Sequence, residues 1–326
     1  MKRILVTGAA GFIGHHLCRY LKSQGHSVMG VDWKEPEYGR DDFSSFMKLD
    51  LRDYDNCLIA MARGLKGEKR EEVYALAADM GGMGYIQDPT KKALIINNNA
   101  RINCNMIEAA RLNGVKKYLF TSSACIYPNY KQQETDIKPL KEEDAYPADP
   151  QDTYGWEKLM TEQMVLAYKE SYGMDVRIVR FHNIYGSEGT WKGGREKAPA
   201  ALCRKVIEAI QKGKWEIEIW GDGEQTRSFC YIDDCIKGLQ LVMDGTYSKP
   251  VNLGRNDMVS INQLADIICK IAGVKLKYRH IEGPVGVRGR NSDNSLFKQL
   301  YKWEPETTLK EGLEKTYKWI KGQIEK

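Results

Sequence analysis

Tyr154 and Lys158 stand four residues apart, a spacing that puts both on one face of a helix. A phenol beside an ammonium is a usable base near neutral pH, because a nearby cation favours the phenolate. Upstream, Ser123 and Cys125 follow the apolar run 118–120 and offer a hydroxyl and a thiol. If that run is a strand of a parallel sheet, they stand at its carboxyl edge, where such sheets bind ligands. Read singly, Ser123 is equally a loop hydroxyl and Cys125 a small buried apolar residue. Near the start, Gly8, Gly11 and Gly14 have the spacing GxxGxxG, with Phe12 and Ile13 between the last two. Glycine is required where backbone approaches a pyrophosphate or a helix packs closely on a strand.

These groups need elements to position them. Ile4, Leu5 and Val6 form a short apolar run before the glycines; Ile13, Leu17 and Leu21 repeat at helical spacing after them, and Gly25 is a stop. A second strand, 28–31, ends at Asp32. This strand–turn–helix–strand unit, with an acid eighteen residues after Gly14, predicts dinucleotide binding. Asp32 would bond the adenosine ribose hydroxyls and repel a 2′-phosphate, so NAD is expected over NADP. Asp50, after another short strand, could reach the adenine or simply cap a turn. Apolar runs at 73–77, 118–121 and 176–181 alternate with helical stretches near 94–113 and 154–172, which predicts an α/β fold with a doubly wound parallel sheet. After residue 183 the rhythm changes. Gly, Trp, Lys and Arg crowd 186–197, a helix is expected at 198–212, and 217–220 alternate as an exposed strand. This smaller region reads as a lid over the sheet's carboxyl edge. The charged run 63–72 reads as a solvated surface loop.

Composition narrows the class. The 326 residues are 42% apolar and 29% charged, with 49 Lys and Arg against 44 Asp and Glu. The small, scattered excess argues against a nucleic-acid binder and admits an anionic small molecule. No apolar run approaches the roughly 18 residues that span a bilayer. Eight cysteines show no CxxC pair, and no signal peptide is apparent, so a reduced, cytoplasmic protein is expected. The histidines at 15, 16, 26, 182 and 280 show no ligand spacing, so no metal is expected.

Taken together, these motifs resemble the extended short-chain dehydrogenase/reductase family over the whole chain. The resemblance implies a Rossmann domain at 1–182, rejoined by about 230–255, and a mixed α/β substrate-binding region in most of 183–326. It implies Ser123, Tyr154 and Lys158 as a triad. More narrowly, it points to the branch that inverts C3 and C5 of GDP-mannose through a transient 4-keto sugar on bound NAD. The segments that carry this are 77–84 (AADMGGMG), 122–128 (SSACIYP), 180–186 (RFHNIYG), 189–199 (GTWKGGREKAP), 220–223 (WGDG), 225–229 (QTRSF) and 286–294 (GVRGRNSDN). Residues 63–72, which look inserted, and 88–96 depart from it.

The resemblance further implies Cys125 and Lys197 as the acid–base pair at C3 and C5. Repulsion from Lys192 and Arg195 is expected to lower the Lys197 pKa. Lys205, Gln225, Arg227 and Arg290 are implied in holding the nucleotide diphosphate. Gly81, Gly82 and Asn183 are implied nearer the sugar, with Glu196, Ala198 and Thr226 also at the substrate. A homodimer is implied, sealed by apolar stripes on two helices (Ile102, Met106, Ile107; Leu159, Met164, Leu166). The alternatives are a 4-epimerase, a 4,6-dehydratase or a decarboxylase of the same family, or a silent NAD-binding scaffold. A dehydratase would carry acids where Ala124 and Cys125 stand.

Overall fold

The computed structural model describes residues 1–62 and 70–326. Its first strand, β1 (Arg3–Thr7), alternates between two cores. Ile4 and Val6 face one and Leu5 the other, all fully buried. The elements then follow as α1 (Phe12–Ser23), β2 (Ser27–Asp32), β3 (Ser45–Lys48), α2 (Tyr54–Met61), β4 (Glu72–Ala75), α3 (Met83–Ile86), α4 (Lys92–Leu112), β5 (Lys117–Ser123), α5 (Thr153–Tyr172), β6 (Asp175–Phe181), α6 (Ala198–Gln211) and α7 (Ile232–Asp244). A seventh strand of the main sheet, Pro250–Leu253, comes from far downstream.

The sheet order is Pro250–Leu253, β6, β5, β4, β1, β2, β3, and every pairing is parallel. The winding direction reverses between β1 and β4, and the crevice outside that reversal is where a doubly wound sheet takes its ligand. One face is covered by α2, α4 and α5 through Met61, Met106, Ile107 and Val165. The other carries α1, α7 and the downstream helices on Leu17, Leu239, Val242 and Leu313. Each such side chain contributes about 1.5–3 kcal/mol by leaving water.

The downstream region adds small sheets. Glu216–Trp220 pairs in parallel with Lys277–Ile281. Thr226–Ser228 lies between Met258–Ser260, antiparallel, and Gly289–Arg290, parallel.

Two expectations are corrected. Most of the charged run 63–72 lies outside the described residues, but its end is no solvated loop. Glu72 opens β4, is 4% exposed, and its carboxylate lies 2.8 Å from Lys2 Nζ. The stripes on α4 and α5 serve the chain's own interior: Met106, Ile107 and Leu159 are buried, and Ile102, Met164 and Leu166 pack partly buried on the same core as Met106 and Ile107.

Candidate active site

Two loops meet beyond β1. Gly8 leaves the strand at φ +67°, and a Cβ there would lie 2.9 Å from the Ala77 nitrogen, on the segment after β4. A Cβ at Gly14 would lie 2.1 Å from the Gly8 carbonyl oxygen, so only glycine lets α1 dock this closely. The helix begins at Gly11 with no side-chain cap, leaving its first N–H groups and positive dipole end for an anion. Phe12 and Ile13, half-buried in that first turn, pack on the larger core.

Asp32, at the end of β2, is 6% exposed. Its carboxylate accepts from Ala10 N (3.0 Å) and Lys34 N (3.3 Å), bracing the glycine loop. Burial raises its carboxyl above the usual range, against those N–H groups. Asp50 takes the turn-capping geometry: it accepts from Arg52 N (3.0 Å) and from the Arg52 guanidinium, which holds its carboxyl below the usual range. His15 and His16, which showed no ligand spacing, meet Glu188 from across the chain. His15 Nδ1 lies 2.8 Å from the Gly11 carbonyl and Nε2 3.0 Å from the Glu188 carboxylate, which Arg19 also holds. The cluster ties α1 to the segment before α6.

β5 delivers Ser123 as its last residue, and the Ser123 hydroxyl accepts from Cys125 N at 3.1 Å. Tyr154 and Lys158 lie on α5, whose start is capped by the Asp152 carboxylate accepting from Gly155 N (2.8 Å). A Cβ at Gly155 would lie 2.2 Å from the Cys125 carbonyl oxygen, so the start of α5 sits directly on the Cys125 backbone. Lys158 is buried and donates to the Thr121 carbonyl at 3.0 Å; its Nζ is 5.8 Å from the Tyr154 ring centroid.

The expected lowering of the Tyr154 pKa is not produced by the chain alone. Desolvation, with the nearby Cys125, Glu157 and Asp152, pushes the phenol up, opposed by a hydrogen bond with Ser123. The spacing was read correctly, but it gives no sign of how completely the phenol is buried. Lys158 is lowered, first by burial, against Glu157 and Glu162.

Cys125 has a cationic neighbourhood. Arg290 Nη1 donates to its sulfur at 3.3 Å. Arg227 is buried and spends its donors on the carbonyls of Thr226 (2.7 Å), Val285 (3.1 Å) and Val287 (2.7 Å). Burial first, then the Arg290 charge, brings Arg227 down to about 9, opposed by Cys125.

Lys197 precedes α6, with Nζ 3.5 Å from the Ile184 carbonyl. Its pKa is lowered as expected, but for another reason. Burial does it, against Cys125 and Cys235. Lys192 instead sits over the Trp191 ring and Arg195 over the Tyr85 ring, at 4.6 and 3.9 Å from the centroids.

The remaining residues divide. Gly81 and Gly82 lie against the segment holding Lys197, through Gly82 N donating to the Arg195 carbonyl at 3.0 Å. Asn183 (φ +47°) donates to the Ser228 carbonyl at 2.8 Å. Ala198 starts α6. Lys205 donates to the Glu218 carbonyl (2.8 Å) and Gln225 to the Trp220 carbonyl (3.2 Å), and the buried Gln225 Oε1 has no hydrogen-bond partner among the described residues. Two are committed elsewhere: Glu196 pairs with Arg204 at 2.9 Å, and the Thr226 hydroxyl donates to the Thr135 carbonyl at 2.6 Å. One residue escaped the sequence reading. Gln132, fully buried, accepts from Arg290 Nε at 2.7 Å. No local pattern marks it.

GDP-mannose 3,5-epimerase 1 of Oryza sativa subsp. japonica is 51% identical, over 99% of this chain and 83% of its own length. GDP-mannose 3,5-epimerase of Arabidopsis thaliana matches at the same identity and shares. UDP-glucose 4-epimerase of Thermotoga maritima, solved with UDP-glucose, superposes with a TM-score of 0.85 at 25% identity, covering 99% of both chains. UDP-glucuronic acid 4-epimerase from Bacillus cereus, solved with UDP-glucuronic acid and NAD, gives 0.80 at 26% identity, over 98% of this chain and 99% of that one. Residues 4–254, from β1 through the last strand of the sheet, match the NAD dependent epimerase/dehydratase family. With a glycine cradle that any Cβ would fill, an acid at the end of β2, and a serine, tyrosine and lysine at the carboxyl edge, the chain belongs to that family and NAD is its cofactor.

Proposed function

We propose that this chain inverts C3 and C5 of GDP-mannose to give GDP-L-galactose, or C5 alone to give GDP-L-gulose, through a transient 4-keto sugar. The observation that carries the reading is that the half-buried Cys125 sulfur takes a hydrogen bond from Arg290 Nη1 at 3.3 Å and lies near enough to Lys197 to oppose the lowering of that amine's pKa. A 4-epimerase would leave the thiol and the buried amine without a task. A 4,6-dehydratase would need acids where Ala124 and Cys125 stand.

A hexose C–H becomes acidic only beside a ketone, where the carbanion is an enolate. Gly8, Gly11, Gly14 and Asp32 would hold the dinucleotide, with Phe12, Ile13 and Asp50 around it. NAD would supply a hydride acceptor for C4 that gives the hydride back after inversion, and a cationic ring would oppose the burial that keeps the Tyr154 phenol protonated. Tyr154 Oη takes the C4 hydroxyl proton while Ser123 Oγ holds the same oxygen, and Lys158, fixed by the Thr121 carbonyl, backs the phenol. Cys125 Sγ removes a proton from C3 or C5 on one face and Lys197 Nζ returns one on the other. The lowered Lys197 pKa suits an amine that must give up its proton.

Arg227 and Arg290 serve the diphosphate by their positive charge, Arg227 with its guanidinium turned to backbone carbonyls. The unpartnered Gln225 Oε1, with Lys205 and Trp220, suits the base. Gly81, Gly82, Asn183 and Ala198 shape the sugar pocket, and Glu196 and Thr226 brace the segments around it through Arg204 and the Thr135 carbonyl. Residues 1–182 with about 230–255 form the cofactor domain, and most of the rest binds substrate. A cytoplasmic homodimer is part of the reading. Its seam draws on Leu94, Leu112, Trp156, Met160 and Tyr172, the large apolar side chains that α4 and α5 leave exposed. The test is incubation with GDP-mannose in D₂O. Deuterium at C3 and C5 by NMR is expected, and inversion at C4 without deuterium at either carbon would replace this reading with a 4-epimerase.

A further inference from the structure

Gln132 lies in the turn after β5 with its side chain fully buried. Its Nε2 donates to the Tyr127 carbonyl (3.0 Å) and the Pro128 carbonyl (3.1 Å). Carbonyls only accept, so the amide orientation is settled and Oε1 must face the other way. There it accepts from Arg290 Nε at 2.7 Å. The Gln132 main-chain carbonyl also accepts from Arg288 N (2.9 Å) and Gly289 N (3.2 Å), so one residue holds both the backbone and the side chain of the Arg290 segment. A guanidinium is planar, and fixing Nε fixes the direction of its other nitrogens. From this hold, Nη1 meets the Cys125 sulfur at 3.3 Å. The second guanidinium of the pocket, Arg227, is turned to three backbone carbonyls.

We propose that Gln132 is a positioning residue of this site: it aims the Arg290 guanidinium at Cys125 and so fixes the place of the sulfur and the charge beside it. The inference rests on Cys125 being the base for C3 and C5, and goes beyond that by naming what sets the base. A charged N–H donor makes a shorter and more directed hydrogen bond than a neutral one, so it holds the attacking atom in one place.

The experiment uses the purified holoenzyme, with Gln132→Leu and the closer-shaped Gln132→Glu. Iodoacetamide labelling of the Cys125 peptide is followed by mass spectrometry, with the same peptide labelled after denaturation as internal standard. With Gln132→Leu, Cys125 labelling of the native protein is expected to slow several-fold while labelling after denaturation is unchanged. The kcat for deuterium uptake from D₂O with GDP-mannose should fall about 10²-fold, the scale of a misplaced catalytic group, with KM moving far less. Reduced cofactor should still appear transiently on adding substrate, because oxidation at C4 does not use the thiol. Gln132→Glu draws the guanidinium charge toward its own carboxylate, so the same changes are expected at smaller size, and this variant decides the matter if Gln132→Leu does not fold. Wild-type labelling and exchange in either folded variant overturn the proposal. Cys125→Ala tells the two readings apart: exchange at the wild-type rate there removes the base itself, whereas its loss there with unchanged Gln132 variants removes only the role given to Gln132.

Discussion

Gly82 and Glu196 touch backbone to backbone: a Cβ on Gly82 would lie 2.3 Å from the Glu196 carbonyl oxygen. The segment after β4 and the segment before α6 are thereby locked together one residue from Lys197. Gly82→Ala must part them. Overpacking of this kind costs about 1–3 kcal/mol, and Lys197 moves with its segment. A lower melting temperature is expected, with deuterium uptake reduced by about 10²-fold and NAD retained through purification. Uptake at the wild-type rate would mean that the junction does not place Lys197.

Oxidation and inversion should separate by mutation. Tyr154→Phe removes the base at the C4 hydroxyl, so no ketone forms. Turnover, deuterium uptake and transient cofactor reduction should fall together, by roughly 10²–10⁴-fold. Cys125→Ala should lose deuterium uptake yet keep the transient absorbance, and so should Lys197→Ala. If the Tyr154 variant retains exchange, the keto route is wrong.

Acid should loosen the fold through His182. Burial lowers this imidazole from 6.5 to about 3, against a hydrogen bond between Nε2 and Asn252 at 2.9 Å, and its Nδ1 has no partner among the described residues. As pH falls, the unfolded chain takes the proton first. The contribution is therefore complete above pH 6.5 and is lost between 6.5 and about 3, by up to about 1.4 kcal/mol per pH unit. Urea midpoints measured across that window should fall less steeply in His182→Asn than in the wild type. Equal slopes would show that His182 does not charge on unfolding.

Asp32→Ala should relax the choice of cofactor. The nucleotide released by denaturing the variant should contain a larger share of NADP. The Ala10 N–H loses its acceptor, and an unsatisfied buried donor costs about 1–3 kcal/mol. The fold should survive that cost. An unchanged nucleotide ratio would place the discrimination elsewhere.

Trp156→Glu puts a charge on the exposed face of α5, where Trp156 is 47% exposed. Sedimentation should shift from dimer to monomer at micromolar concentration. A wild-type protein that already sediments as a monomer would end the dimer reading.

What the sequence disclosed is what lies close along the chain. The glycine loop, Asp32, and Tyr154 with Lys158 are legible because one turn or one helix carries each set. Cys125 and Lys197 come within electrostatic reach of each other across 72 residues, and only the resemblance joined them. Burial was the main blind spot. It moves Tyr154 up where a neighbouring cation suggested down, and it lowers Lys197 where charge repulsion was credited. It also takes Glu72 out of a supposed loop. Gln132 had no signal at all, since its meaning lies in Arg290, far down the chain.

The strand Pro250–Leu253 completes the sheet on β6 only after the whole 183–249 segment has been made. During synthesis, therefore, β6 leaves the ribosome as a bare edge whose N–H and C=O groups remain open to any other strand. The cofactor half cannot close early and wait for its lid, so the nascent chain carries an aggregation hazard until its last quarter emerges. For the same reason the downstream region is not a module to be exchanged between relatives by one cut near residue 183. A graft that leaves out this strand would return a six-stranded sheet ending on β6.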